Sequence, residues 1–440
     1  MTIKREQRPA RVSETKQAGE ARWDWVERAV WTDRMLEALE KGVKGGVWFS
    51  LIDKVYRPKT LMAAWRRVRA AGGAAGTDRQ SLKAFERRLD ANLAKLHEEL
   101  KTATYRPRPI RRCYIDKPGS KEKRPLGIPA VRDRVVQTAL KMVLEPIFEW
   151  EFVPTSFGFR PGQGCKDALR RVEGLMRAGY TWVIDADLKH YFETIPHERL
   201  MGEIKRHIAD SRVLDLIEGF LKQQILEDLR YWTPEKGTPQ GAVISPLLSN
   251  IYLHEVDKQV RLAGYEMVRY ADDFVILCRS QQEAKAALAG VSALVGERGL
   301  SLHADKTSVV ATHEVGQGFD FLGYHFENGT RWPRKKSLKK FKDAIRRKTR
   351  RSNGRNIAAI IRDVNRTSIG WFGYFKQSNW KTFAPLDGWI RRRLRSILRK
   401  YGKKKGIARG RDNIRWPNQY FRDLGYFSLY GAHQSLRQSS

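Results

Sequence analysis

The sequence predicts an α+β fold followed by a mainly helical, strongly basic domain. Three observations carry that expectation: short strand-like runs set between segments of helical period, an abrupt shift in charge near residue 330, and aromatic residues interleaved with the charge that follows. At 440 residues the chain is about three times the ~150 expected of one domain, so two or three cores are anticipated. Hydrophobic residues make up 41%, including 13 Trp, 18 Phe and 15 Tyr, which excludes a disordered chain. Lys and Arg number 84 against 49 Asp and Glu, a net charge of +35. Such a field concentrates polyanions, and the expected partner is nucleic acid.

Taken in chain order, Val131, Val135, Val136, Leu140, Val143, Leu144, Ile147 and Phe148 recur with helical period and predict a long helix. Strands are expected at 181–188, 267–271, 274–278 and 319–326, where β-branched and aromatic residues cluster, in an α+β order rather than a parallel βαβ array. Leu288, Val291, Leu294 and Val295 predict another helix, stopped at Gly299. A boundary falls at 328–333, where Gly, Asn and Pro gather. Beyond it, residues 331–415 hold 29 Lys or Arg and four acids, +25, leaving +10 for the rest. A solvated basic tail would lack Trp371, Phe372, Tyr374, Phe375, Trp380, Trp389 and Tyr401, so a folded domain is expected. Within it, Ile390, Leu394, Ile397 and Leu398 mark an amphipathic helix with a basic outer face.

Cys113, Cys165 and Cys278 are scattered and form no CxxC pair, so neither a disulfide framework nor a structural zinc site is expected. The first twenty residues are polar, and no run reaches the ~20 apolar residues of a membrane span. A cytoplasmic protein with no membrane partner is the expectation.

The strongest chemical signal is carboxylate. Tyr270, Ala271, Asp272 and Asp273 lie between two apolar runs and read as a hairpin with an Asp-Asp turn that lifts both acids to its tip. Asp185 and Asp187 close a second strand and, by alternation, share a face. Acids on neighbouring strands suit two hard cations about 3.5–4 Å apart, the arrangement of nucleotidyl transfer. No His/Cys cluster offers a softer metal site.

Six short motifs in order then carry a resemblance: 124–129 (RPLGIP), 156–162 (SFGFRPG), the Asp187 strand, 237–241 (GTPQG) with 245–250 (SPLLSN), 270–273 (YADD), and 318–324 (GFDFLGY). Together they resemble the group II intron-encoded reverse transcriptase and maturase family over nearly the whole chain. The resemblance implies a right-hand polymerase with fingers and palm, followed by a helical basic thumb, the maturase X domain, whose core resembles 370–375 (GWFGYF). Expected boundaries are 1–47 for an N-terminal segment, 48–180 for an N-terminal extension and fingers, 181–328 for the palm, and 329–440 for the thumb and a short basic end.

By the same resemblance, Asp187, Asp272 and Asp273 are the catalytic acids, and they bind two Mg²⁺ ions, replaceable by Mn²⁺, with the Leu188 carbonyl. Asp185 is open between a metal role and a supporting hydrogen bond. Phe192, five residues after Asp187, resembles the steric gate that excludes a ribose 2′-hydroxyl, with a core aromatic as the alternative. Gln240 resembles the residue under the incoming dNTP. Arg111, Lys117 and Arg124 resemble a cationic clamp on its triphosphate. Lys306 resembles the general acid for pyrophosphate, or is a surface lysine. Arg160 in the fingers, and Arg391, Arg392 and Arg393 in the thumb, are candidates for nucleic-acid contact. Residues 76–78 (GTD) resemble a loop signature of the extension ahead of the fingers. After Asn328 there is one His, His433, and no Cys, so the family's optional metal-bound endonuclease is expected to be missing and insertion to prime from existing DNA ends.

The implied function is RNA-directed DNA synthesis on an RNA template with a DNA primer. Binding of group II intron RNA for splicing and retrohoming into target DNA accompanies it, in a bacterial ribonucleoprotein that joins the nucleoid when acting on DNA. Two other readings stay open: a splicing cofactor with an inert polymerase centre, and a domesticated, defence- or CRISPR-associated reverse transcriptase.

Overall fold

A computed structural model of the chain describes residues 22–116, 123–352 and 354–438. Its strands are β1 (Ile110–Asp116), β2 (Lys123–Ile128), β3 (Trp182–Asp187), β4 (Ile225–Glu227), β5 (Arg230–Trp232), β6 (Glu266–Tyr270), β7 (Asp273–Cys278), β8 (Ser308–Ala311), β9 (Gly318–Phe321), β10 (Tyr324–Glu327) and β11 (Thr330–Pro333). They form three sheets, in the orders β2-β1-β4-β5, β6-β7-β3-β8 and β11-β10-β9. The fold is α+β, as the separated strand signals predicted.

The central sheet is antiparallel throughout and carries the chemistry. Strand alternation divides its faces between two cores. Ile184, Ala186, Phe274, Ile276 and Cys278 face the large core, which includes the helix Val131–Glu151. Val183, Val268, Val275 and Leu277 face a second core under the helix Cys165–Arg177, where Phe319, Phe321, Tyr324 and Phe326 pack. Asp185 and Asp187 share the parity of Val183, and Asp273 that of Val275, so these three acids extend the second face toward one end of the sheet.

Two local expectations are corrected. Residues 319–326 are a hairpin, β9 and β10, rather than one strand. The turn pair Leu322 and Gly323 has positive φ, 47° and 85°, as a type I′ turn requires. An apolar residue there hides the turn, and its conformation is held from outside: Tyr374 Oη donates to the Leu322 carbonyl at 2.7 Å and Ser337 Oγ to the Gly323 carbonyl at 3.1 Å. At the YADD hairpin the turn pair is Ala271 and Asp272. Asp273 is instead the first residue of β7 and stands opposite Asp187 in the ladder.

The basic region is folded. Helices Lys335–Lys348, Ile357–Phe375, Phe383–Tyr401 and Leu429–Gln438 enclose a third core built on Phe341, Ile360, Phe372, Phe383, Ile390 and Leu394. The GWFGYF segment links this core to the one beneath the central sheet. Phe372 is buried in the former and Phe375 in the latter, while Trp371 stacks on Phe341 at 4.5 Å. Aromatic side chains thus supply the apolar area that a dense cationic sequence otherwise lacks.

Candidate active site

A cavity of about 920 Å³ lies between the first sheet and the end of the central one. Asp187 and Asp272 open into it from below, Arg112 and Arg124 from the β1–β2 hairpin above, and Phe192 and Gln240 from one side. The motifs that build it are stitched to one another by main chain. Gly127 N donates to the Gln240 carbonyl at 2.6 Å, and Thr238 N to the Phe192 carbonyl at 2.7 Å. Gly241, at φ +102°, passes so close that a Cβ would stand 2.5 Å from the Gly127 oxygen. Gly158 abuts the Ala271–Asp272 turn equally closely, its notional Cβ 2.1 Å from Ala271 N. Side chains at either position would drive these motifs apart.

The carboxylates repel one another. Burial pushes Asp272 above the usual carboxylate range, and the charge of Asp187 adds to the shift, against its own backbone hydrogen bond and Arg124. Burial, then Asp185, Asp272 and Asp187, push Asp273 up to about 7. Burial, then Asp320 and Asp187, likewise push Asp185 up to about 7. Lys306 Nζ sits 2.6 Å from Asp187 Oδ2, which places this lysine at the cavity rather than on a remote surface. Leu188 is buried at the cavity wall. Among the described residues no group of three or more His, Cys, Asp or Glu converges as a metal site. What Asp187 and Asp272 do offer is hard oxygen donors on a shared cavity, the donor type that suits a divalent cation.

Phe192 is half-buried at the cavity, while Tyr191 beside it turns into the core and donates its hydroxyl to the Ser249 carbonyl at 2.7 Å. The two aromatics therefore divide between cavity and core. Lys117 lies outside the described residues. Arg111 is not brought to the cavity: Ile110, Arg112 and Tyr114 face it, and alternation turns Arg111 away. Arg112, missed in the sequence, takes that face. It pairs with Glu227 at 3.1 Å and lies over the Trp232 ring at 5.1 Å. The buried Ile110 at the strand's start carried the parity that selects Arg112.

Arg160 is also corrected. It is buried, its Nη2 is 2.6 Å from Glu149 Oε1, and its Nη1 donates to the carbonyls of Val153 and Ser156, both at 2.6 Å. It holds its loop and has no face left for nucleic acid. Arg393 is half-buried and donates from Nε to Thr349 Oγ1 at 2.6 Å, whereas Arg392 faces solvent and Arg391 is intermediate. A further network unrecognised in the sequence supports the Ala271–Asp272 turn: Arg269 in β6, Asp257 and Asn250.

A strand-borne acid facing a hairpin-borne acid beneath a cationic two-stranded clamp defines a nucleotide-polymerising palm. Residues 115–326 match the family model described as "Reverse transcriptase (RNA-dependent DNA polymerase)", and residues 338–416 match "Group II intron, maturase-specific domain". The "Protein YkfC" of Escherichia coli is 35% identical over 317 residues, 62% of this chain and 82% of that protein. The "Group II intron-encoded protein LtrA" of Lactococcus lactis is 43% identical over 171 residues, 39% of this chain and 28% of that one. Among solved structures, the "Partial Cas6-RT-Cas1--Cas2 complex" aligns at TM-score 0.37 and 24% identity, covering 56% of this chain and 42% of that one. The chain belongs to the group II intron reverse transcriptase and maturase family and is an RNA-directed DNA polymerase. Among the described residues no helix is long and apolar enough to cross a membrane.

Proposed function

We propose that this chain extends a DNA primer on an RNA template by two-metal nucleotidyl transfer, and that it binds its intron RNA to promote splicing and retrohoming into target DNA. The observation that carries the polymerase reading is the convergence of Asp187 and Asp272 on one cavity beneath Arg124, with Phe192 and Gln240 at its side. Asp187 and Asp272, with the Leu188 main-chain oxygen and Asp273 behind them, would hold Mg²⁺ or Mn²⁺. When bound, the ions supply charge neutralisation for the attacking hydroxyl and the departing pyrophosphate.

The protein's own groups do the rest. Arg124, and Lys123 beside it on the same cavity, draw the triphosphate under the β1–β2 hairpin. The Phe192 ring stands against the sugar and excludes a 2′-hydroxyl, while the Gln240 loop backs the incoming nucleotide. Lys306 holds a proton on Nζ beside Asp187 Oδ2, ready to pass it to pyrophosphate oxygen. The matched maturase domain and its cationic surface support the RNA-binding half of the proposal.

Asp272→Ala is expected to lower primer extension on an RNA template by about a thousandfold, roughly 4 kcal/mol of barrier, with affinity for a labelled RNA hairpin unchanged. Synthesis at the native rate by the purified variant would reject the site.

A further inference from the structure

We propose that a cavity in the basic domain, between the helix Phe383–Tyr401 and residues 408–418, seats a backbone phosphate of the bound nucleic acid. The proposal deepens, and rests on, the reading that this domain grips RNA. The cavity holds about 770 Å³ and is lined by Arg391, Arg392 and Arg395 on one wall and Arg409 on the other, with no carboxylate among its lining residues. A pocket walled by four guanidinium-bearing residues and no acid is shaped for an oxyanion.

The neighbouring acids are already committed. Asp412 accepts from Arg399 Nη1 at 3.2 Å and from Arg409 N at 2.8 Å. Asp387, buried, accepts from Tyr426 Oη, Ser428 Oγ and the backbone N–H groups of Leu429 and Tyr430. Among the described residues Arg391, Arg392 and Arg409 make no ion pair. Arg391 is half-buried and Arg392 exposed at the cavity, so their guanidinium groups are open to an acceptor entering it. The floor is rigid: Arg395 donates to the Trp416 carbonyl and to Asn418 Oδ1, both at 2.8 Å, and lies over Phe421 at 5.2 Å. The run of three arginines is therefore not a unit. Arg391 and Arg392 face the pocket, Arg393 leaves it for Thr349, and Arg409 arrives from the following loop.

Gly388, one helical turn before Arg391 and Arg392, also lines the cavity, and a Cβ there meets nothing within 4 Å. It allows the pocket to be filled without changing charge. The full chain is titrated against a fluorescein-labelled RNA hairpin, and separately against an RNA template annealed to a DNA primer, across a range of KCl. Gly388→Leu is expected to weaken binding about tenfold, the scale of one charge-assisted contact. It is also expected to lower the slope of log affinity against log salt by about one phosphate's worth, ~0.9 on a duplex or ~0.7 on a single strand. Gly388→Ala controls for helix propensity and binds as the native chain. Loss with the hairpin assigns the phosphate to free RNA, and loss with the primed template alone assigns it to the polymerase substrate.

Arg391→Gln with Arg392→Gln is expected to reproduce the effect of the leucine. If Gly388→Leu, with its thermal melt intact, binds both probes as Gly388→Ala does at every salt concentration, the pocket is not a phosphate seat. A comparison variant replaces Lys335, Lys336, Lys339 and Lys340, four exposed lysines of the helix Lys335–Lys348, by Gln. Weakening by that variant alone overturns the pocket and leaves the domain's RNA grip standing. No change in any variant overturns both.

Discussion

Arg269 of the central sheet and Arg392 of the basic domain carry the same guanidinium in opposite surroundings. Arg269 is 1% exposed, its Nε and Nη2 on Asp257 at 2.7 and 2.5 Å and its Nη1 on Asn250 Oδ1 and the Ala271 carbonyl at 3.0 and 2.8 Å. Arg392 faces solvent in a region of net +25. The contrast separates two uses of charge. In the polymerase body a buried cation fixes geometry: Ala271 holds φ +61°, a left-handed conformation that costs a residue with a Cβ, and Arg269 grips the carbonyl of that residue beside Asp272. In the basic domain exposed cations such as Arg392 make a field.

The largest expected effect tests the first use. Arg269→Gln leaves Asp257 buried and unpaired, and is expected to cost about 3–5 kcal/mol of unfolding free energy, read by urea titration. Arg392→Gln is expected to change stability by less than about 0.5 kcal/mol. Equal losses in the two variants would break the contrast.

The same contrast explains what was legible in the sequence. Locally patterned features were readable: the period of Val131 to Phe148, the charge step near 330, and the apolar runs flanking Asp272 all reflect local backbone and burial rules that leave a trace in order and spacing. Side-chain partnerships were not. Arg160 sits in the SFGFRPG motif, yet Glu149 and two carbonyls claim it. Arg111 and Arg112 are adjacent cations, and only Arg112 lines the cavity. Of the candidate site, the shared face of Asp185 and Asp187 followed from alternation, whereas the pairing of Asp187 with Asp273 and the turn's support by Asn250 and Asp257 leave no periodic mark.

A second hidden charge gives the next effect. Asp133 is fully buried, accepting from Tyr105 Oη at 2.6 Å and from Arg108 N at 2.9 Å. Burial pushes its carboxyl from the ordinary 3.8 up to about 6, against those hydrogen bonds. Below pH 4 both folded and unfolded chains hold the proton. Between about 4 and 6 the folded chain keeps a proton that the unfolded chain releases, so stability falls as pH rises through that window and levels off above it. Asp133→Asn is expected to remove this contribution, on the order of 2–3 kcal/mol between pH 4 and 7 at ~1.4 kcal/mol per pKa unit. Parallel pH profiles of urea stability for the native chain and the variant would show that the acid is not held neutral.

The smallest effect sharpens the comparison inside the basic domain itself. Arg392 and Arg393 are neighbours, yet Arg393 reaches from Phe383–Tyr401 to the end of Lys335–Lys348. Its Nε donates to Thr349 Oγ1, its Nη2 to the carbonyls of Thr349 and Arg346 at 3.3 and 3.4 Å, and its guanidinium lies over Trp389 at 5.4 Å. A cation on the carbonyls that end a helix stabilises that end. Arg393→Gln is therefore expected to lower stability by about 1 kcal/mol while leaving the salt dependence of RNA binding near that of the native chain. Arg392→Gln is expected to do the reverse, flattening the salt dependence with stability unchanged. If Arg393→Gln flattened the slope as much as Arg392→Gln, position along the helix would not matter, and the domain would act on RNA through its net charge alone rather than through the geometry of its arginines.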